Sequence, residues 1–181
     1  MHTIKRLALV ASLVPLFAAL AAGQTSRMTV RDYFMSMPAK YFSLDCCITI
    51  KDPRTAKEKY LKTYLTIEDT ANGYMTASGD AAQEGFEMAL FKRPNGGYLI
   101  GFYTYGEGGI EDTPWIVFLD YSNGRWTDLS KREVPGYSPE TLEYKLPRYG
   151  TTIEVHKKVE DGDAPLLYRL TWKNGKFVKT E

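Results

Sequence analysis

Few side chains in this sequence are suited to nucleophilic or acid–base chemistry. Of the two histidines, His2 belongs to the basic opening of an apolar leader, so His156 is the single imidazole of the remaining chain. A Ser–His or Cys–His pair would have to use it, with Cys46, Cys47 or a serine brought close by folding. No segment has the Gly-x-Ser-x-Gly form of a nucleophile elbow. His156 falls in the polar phase of a strand pattern beside a charged hairpin end, a structural setting. A small secreted hydrolase using His156 is the enzymatic alternative. It requires a thiol, hydroxyl or carboxylate within about 3.2 Å of the ring inside a cleft.

The other candidate groups are weaker. Cys46 and Cys47 are neighbours, so they cannot staple distant strands, and a bond between them would strain the intervening peptide. The two-residue spacer of a thioredoxin-like site is absent. One histidine and two adjacent cysteines fall short of a zinc site. The acids Glu160, Asp161 and Asp163, like Glu107, Glu111 and Asp112, do not follow the twelve-residue calcium-loop pattern. No metal and no cofactor is expected. Tyr105-Gly106-Glu107-Gly108-Gly109-Ile110-Glu111-Asp112 is rich in glycine but lacks the Lys-Ser/Thr ending of a phosphate loop, and its acids would repel phosphate.

Aromatic residues supply the most distinctive chemistry, with 13 Tyr and three Trp. These side chains join large apolar area to a polar tip and are efficient recognition groups. Tyr103, Tyr105, Trp115, Tyr121 and Trp126 lie in or near the glycine-rich loop and its neighbouring hairpin. Together with Glu107 they form the candidate ligand-binding set, a concave face for a peptide, glycan or protein partner. A structural or inhibitory protein-interaction domain is the other alternative, and it predicts a flat patch or an open strand edge.

Strands must position these residues. Phe86, Met88 and Leu90 alternate with Glu87 and Ala89; Leu99, Gly101, Tyr103 and Tyr105 alternate with Ile100, Phe102 and Thr104; Trp115, Val117 and Leu119 alternate with Ile116 and Phe118. In the last two runs both phases are apolar enough for a central strand, with its second face covered by another layer or lining a pocket. Four Asn-Gly pairs, at 72–73, 95–96, 123–124 and 174–175, suit tight type I′ turns. Such turns would pair Tyr121 with Trp126 and Trp172 with Phe177. A hairpin centred on Glu160–Asp163 would pair Glu154 with Arg169, Ile153 with Leu170 and Val155 with Tyr168.

Helices come first in this order. Thr29 with Asp32 three places on is an N-terminal cap, and Val30, Tyr33, Phe34 and Met37 recur at helical spacing up to Pro38. Asp52-Pro53 starts a second helix with Ala56, Tyr60 and Tyr64 on one face and Glu58 and Lys62 paired. In it Lys51, Arg54, Lys57, Lys59 and Lys62 make a locally basic surface. Ser138-Pro139-Glu140 predicts a third, brief helix. The fold class expected is α+β, a curved antiparallel sheet with short N-terminal helices packed on one face.

Composition and leader set the class and location. The chain has 181 residues, 44% of them apolar and 25% charged, with 23 basic against 22 acidic side chains. That balance offers no broad basic field for nucleic acid. Lys5 and Arg6 precede an apolar run from Leu7 to Ala22 broken by Pro15, shorter than the roughly 20 residues of a membrane span. Small residues at Ala19, Ala21 and Gly23 fit signal-peptidase cleavage. Residues 1–23 read as a signal peptide and 24–181 as one secreted or periplasmic domain, with no stable membrane span after cleavage.

The opening Tyr33-Phe34-Met35-Ser36-Met37-Pro38, the helical segment after it and a strand series ending in Trp126-Thr127-Asp128-Leu129 resemble exported bacterial proteins of unknown function, found notably in Bacteroidetes. The likeness covers about residues 30–130 of this chain. It implies export and brings no catalytic residues. That group tends to show a cysteine-containing loop before an acidic residue in its middle strands, whereas here the cysteines stand at 46 and 47.

Overall fold

The structure, a computed structural model, describes residues 27–42, 44, 52–80, 83–105, 116–159 and 162–181. Among these are three helices, α1 (Val30–Ser36), α2 (Pro53–Tyr64) and α3 (Ser130–Glu133), and ten strands. The strands are β1 (Leu65–Asp69), β2 (Tyr74–Ala77), β3 (Gly85–Lys92), β4 (Tyr98–Tyr105), β5 (Ile116–Ser122), β6 (Arg125–Asp128), β7 (Leu142–Lys145), β8 (Thr152–Lys157), β9 (Leu166–Lys173) and β10 (Lys176–Thr180). All pairings are antiparallel. The predicted α+β class holds, with the strands divided between a six-stranded meander β1 to β6 and a four-stranded meander β7 to β10. The leader and Cys46–Cys47 lie outside the described residues. No helix among the described residues is long and apolar enough to cross a membrane.

Local chemistry sets the helix starts. The Asp32 N–H donates to Thr29 Oγ1 at 3.2 Å, and the Thr29 N–H donates back to Asp32 Oδ2 at 2.7 Å, a reciprocal capping box. Asp52 accepts from the Thr55 N–H at 2.9 Å, and Pro53 occupies the first turn, where its missing donor costs nothing. Ala56 and Tyr60 are buried and Tyr64 is half-buried, as their spacing predicts. Glu58 turns back to Arg54 at 3.3 Å instead of pairing with Lys62.

Lys57 does not belong to a solvated basic face. It is 4% exposed, and its ammonium donates to the carbonyls of Phe34, at 2.8 Å, and of Met37. Helix α1 has no basic residue in its last turn, and a lysine from α2 supplies the positive charge at its C-terminal carbonyls. The physical reason is position: Lys57 falls beside Ala56 and Tyr60 on the face turned to α1.

The turns and registers separate what is local from what is not. Asn123 and Gly124 have φ of 52° and 75°, Asn174 and Gly175 of 51° and 81°, both positive as a type I′ turn requires. Tyr121 pairs with Trp126 and Trp172 with Phe177, their ring centroids 5.0 and 4.9 Å apart. The other two Asn-Gly pairs sit in longer loops, where only the glycine takes positive φ. The β8–β9 register is Ile153 with Leu170, Glu154 with Arg169 and Val155 with Tyr168, as expected, and Arg169 binds Glu154 at 3.0 Å. The predicted helix at Ser138-Pro139-Glu140 is instead a single turn. The Leu142 N–H closes on the Ser138 carbonyl at 2.9 Å and β7 begins at once. A brief helix forms earlier, after Asp128 accepts from the Ser130 N–H at 2.8 Å.

Two apolar cores result, one on each face of the larger sheet. Helices α1 and α2 cover Met75, Phe86, Met88, Ile100, Phe102, Val117 and Leu119. The smaller sheet covers the opposite phase, where Phe91, Leu99, Ile116 and Phe118 meet Tyr144, Ile153, Leu170, Trp172 and Phe177. Strands β4 and β5 are therefore central and apolar in both phases, as their sequence predicts. Gly101 marks the close approach of the two sheets, since a Cβ there would stand 2.9 Å from Leu146 Cδ2.

Candidate functional site

Where the smaller sheet stops covering the larger one, the interlayer turns polar. Cross-strand register places Thr76 of β2, Glu87 of β3 and Tyr103 of β4 in one row, with Gly85 beside Tyr105 in the next. Period-two alternation puts all of them on the face that carries Tyr74, Ala89 and Phe91. This row closes β4 immediately before residue 106, where the glycine-rich segment begins.

Each side chain is held from below. The Tyr105 ring lies against the Gly85 backbone: a Cβ on Gly85 would fall 2.3 Å from Tyr105 Cε2, so only glycine admits the ring. The Tyr105 hydroxyl donates to the Ala77 carbonyl at 2.9 Å. Thr76 Oγ1 donates to the Phe86 carbonyl at 2.8 Å. Tyr103 and Tyr105 have ring centroids 6.0 Å apart, tilted by 35°, and both are half-buried.

Glu87 is the distinctive group. Burial pushes its carboxyl above the ordinary carboxylate range, the Tyr74 hydroxyl and the Leu146 main chain pull it down, and the charge on Glu143 of β7 pushes it further up. No cation pairs with Glu87 or Glu143 among the described residues. Burial, then the charges of Glu143 and Glu87, push the Tyr103 hydroxyl up to about 12, and burial together with Glu87 raises that of Tyr74. A half-buried carboxylate flanked by tyrosine rings, with no counter-ion, can accept a cationic or strongly hydrogen-bond-donating group.

The predicted site residues are thus distributed unevenly. Tyr103 and Tyr105 come together at this rim. Tyr121 and Trp126 lie on the opposite, helix-covered face, where Tyr33 stands edge-on to both at 6.0 and 6.3 Å, and Trp126 Nε1 donates to the Ser36 carbonyl at 3.1 Å. That pair fastens α1 to the sheet, so the four aromatics do not form one continuous surface. Glu107 and Trp115 lie outside the described residues. The aromatic spacing of the sequence does not select Tyr74, Thr76 or Glu87. Two signals point to them: an acid between Phe86 and Met88 in a run apolar on both sides, and a glycine opening the strand that carries it.

His156 has a structural setting. It follows a register shift in β8, its Nδ1 lies 2.8 Å from the Ala164 carbonyl, and Glu154 Oε2 is 3.6 Å from Nε2. Among the described residues no group of three or more His, Cys, Asp or Glu side chains is arranged to hold a metal ion. A cavity of about 260 Å³ beside α1 is lined by charges that are already engaged: Arg54 pairs with Glu58 of the same lining, and Arg31 with Glu68 outside it. Comparison of the chain with protein-family models, curated proteins and solved structures finds no match.

Proposed function

We propose that this is an exported, soluble, envelope-associated or secreted binding protein whose ligand site is the tyrosine–carboxylate rim of Tyr74, Glu87, Tyr103 and Tyr105. The leader at 1–23 and the likeness of the opening segment to exported bacterial proteins support the location. The ligand is a peptide or protein segment that inserts a lysine or arginine side chain, its charge meeting Glu87 and its stem lying along the tyrosine rings. One observation carries this reading: Glu87 is half-buried, near Glu143 and the Leu146 main chain, with no cation paired to it among the described residues.

Location is tested by fractionating expressing cells and sequencing the exported chain, which is expected to begin at Gln24. Binding is tested with a fluorescent Gly/Ser peptide bearing one lysine, against the same peptide N-acetylated at that lysine. The protein binds the first at least about tenfold more tightly. Glu87→Gln removes the difference, and Tyr103→Ala weakens both peptides. Burial disfavours the charged form of Glu87, so its contribution to stability is present at low pH and lost as pH rises through its folded value. Glu87→Gln therefore keeps or raises Tm at neutral pH. For the same reason, lysine-peptide binding falls off on acidification at a higher pH than an ordinary glutamate would give. Equal binding of the two peptides, or an unaffected Glu87→Gln variant, would refute the reading.

A further inference from the structure

Another concavity lies where the chain enters α1, at the edge between the helix-covered face of the larger sheet and the β7–β8 loop. Here a groove of about 480 Å³ runs between the Arg27–Val30 segment, the β1–β2 turn at 70–73, the β3–β4 end and the Gly150–Thr151 loop. Its volume falls in the range of about 300–1,000 Å³ typical of small-ligand sites. Among the described residues no carboxylate lines it, in contrast to the cavity beside α1, where Arg31 and Arg54 each pair with an acid.

Its cations are placed and uncompensated. The Arg27 guanidinium stacks on the Tyr98 ring at 4.8 Å and donates one N–H to the Gly96 carbonyl at 3.1 Å, which fixes its plane and leaves its other donors without a partner among the described residues. Lys92 is the cross-strand partner of Tyr98, and its ammonium has no ion-pair partner among the described residues. The nearby acid Asp69 is already engaged by Arg148 at 3.1 Å and by Asn72. Thr70 and Thr151, each carrying a hydroxyl, are among the wall residues, and Leu90 adds an apolar one.

We infer that this groove binds an acidic oligosaccharide, its carboxylate on Arg27 and Lys92, its hydroxyls on Thr70 and Thr151, and the C–H face of a sugar ring on Leu90. A guanidinium held in plane suits the two oxygens of a carboxylate. The hydroxyl lining suits a polyhydroxylated ligand better than an acidic peptide, which would need a free strand edge or deep apolar anchors. The site shares no residue with the Tyr103–Glu87 rim, so it stands or falls independently of it.

Calorimetric titration of the purified protein with trigalacturonate, in about 0.15 M salt so that exposed charges are screened, tests the assignment. Maltotriose, hexaglutamate and phosphatidylglycerol vesicles serve as the neutral, peptide and lipid comparisons. Trigalacturonate is expected to bind at least about tenfold more tightly than each of the three. Arg27→Gln weakens it by about tenfold or more and Lys92→Gln by a smaller factor, while Tyr103→Ala leaves it unchanged. Both basic residues are exposed, so the variants keep the wild-type Tm. Hexaglutamate or vesicles binding as tightly as trigalacturonate, or an Arg27→Gln variant that binds as the wild type does, would overturn the inference.

Discussion

Phe86→Ala is expected to lower the unfolding free energy by about 3–5 kcal/mol. The ring is fully buried and stacks on Phe34 at 4.5 Å, with Phe42 and Phe102 each 5.4 Å away and Tyr60 at 6.1 Å. These rings come from α1, the segment after it, α2 and β4, so one side chain joins both helices to the sheet. Its removal forfeits the transfer free energy of the ring and leaves a void lined by other rings, which close-packed neighbours refill only in part. In a domain of this size each kcal/mol moves Tm by about 2–4 °C, so the midpoint falls on the order of 10 °C. Phe86→Leu, which keeps most of the volume, should cost markedly less. Urea unfolding monitored by near-ultraviolet circular dichroism measures both, and a loss below about 1 kcal/mol for the alanine variant would contradict the packing described.

The second large effect is a rise in stability under mildly alkaline conditions, carried by Lys57. Burial pulls its ammonium from the ordinary lysine range down to about 8. Below that value folded and unfolded chains both hold the proton, and the folded state bears the cost of the buried charge. Between about 8 and the unfolded value near 10.4 only the unfolded chain holds it, so stability climbs with pH. At about 1.4 kcal/mol for each tenfold change in proton affinity, the climb is worth about 3 kcal/mol. Tyrosines whose hydroxyls are raised by burial, among them Tyr60 and Tyr144, act in the opposite direction above about pH 10. The comparison is therefore wild type against Lys57→Met, where those contributions cancel. Urea unfolding from pH 7 to 10 should show a nearly constant difference up to about pH 8 and wild type gaining on the variant above it. A constant difference across that range would mean that Lys57 keeps its ordinary affinity.

Local chemistry explains which parts of this architecture can be read from sequence. The capping box of Thr29 and Asp32, the two Asn-Gly turns and the Glu154–Arg169 register depend on residues a few positions apart or on strands joined by one turn. The double apolar phase of β4 and β5 correctly implies a covering layer. The separation into two sheets depends instead on long-range contacts, such as Gly101 beneath Leu146 and Trp172 Nε1 donating to the Lys92 carbonyl at 2.7 Å. Ser138-Pro139-Glu140 has the residues of a helix start, but the Ser138 N–H is taken by the Tyr144 hydroxyl at 3.0 Å and the chain passes directly into a strand. Lys57 reads as a surface charge until the carbonyls of α1 are placed opposite it.

The candidate site divides in the same way. Tyr103 and Tyr105 are two apart on one strand, so their shared face is visible in the sequence. Tyr74 and Glu87 join them only through the registers of β2, β3 and β4. Tyr121 and Trp126 stand across one turn from each other, and nothing local reveals that Tyr33 of α1 covers them. A strand's two faces are legible; which face a distant helix will occupy is not.

The most direct measurement of the binding account is NMR of the protein with ring-labelled tyrosine, titrated with the lysine-bearing peptide. The signals of Tyr74, Tyr103 and Tyr105 should shift together, those of Tyr33 and Tyr121 should stay in place, and Glu87→Gln should abolish the response. Shifts confined to the helix-side rings, or a response that survives in Glu87→Gln, would show that the rim between the sheets is not where the ligand binds.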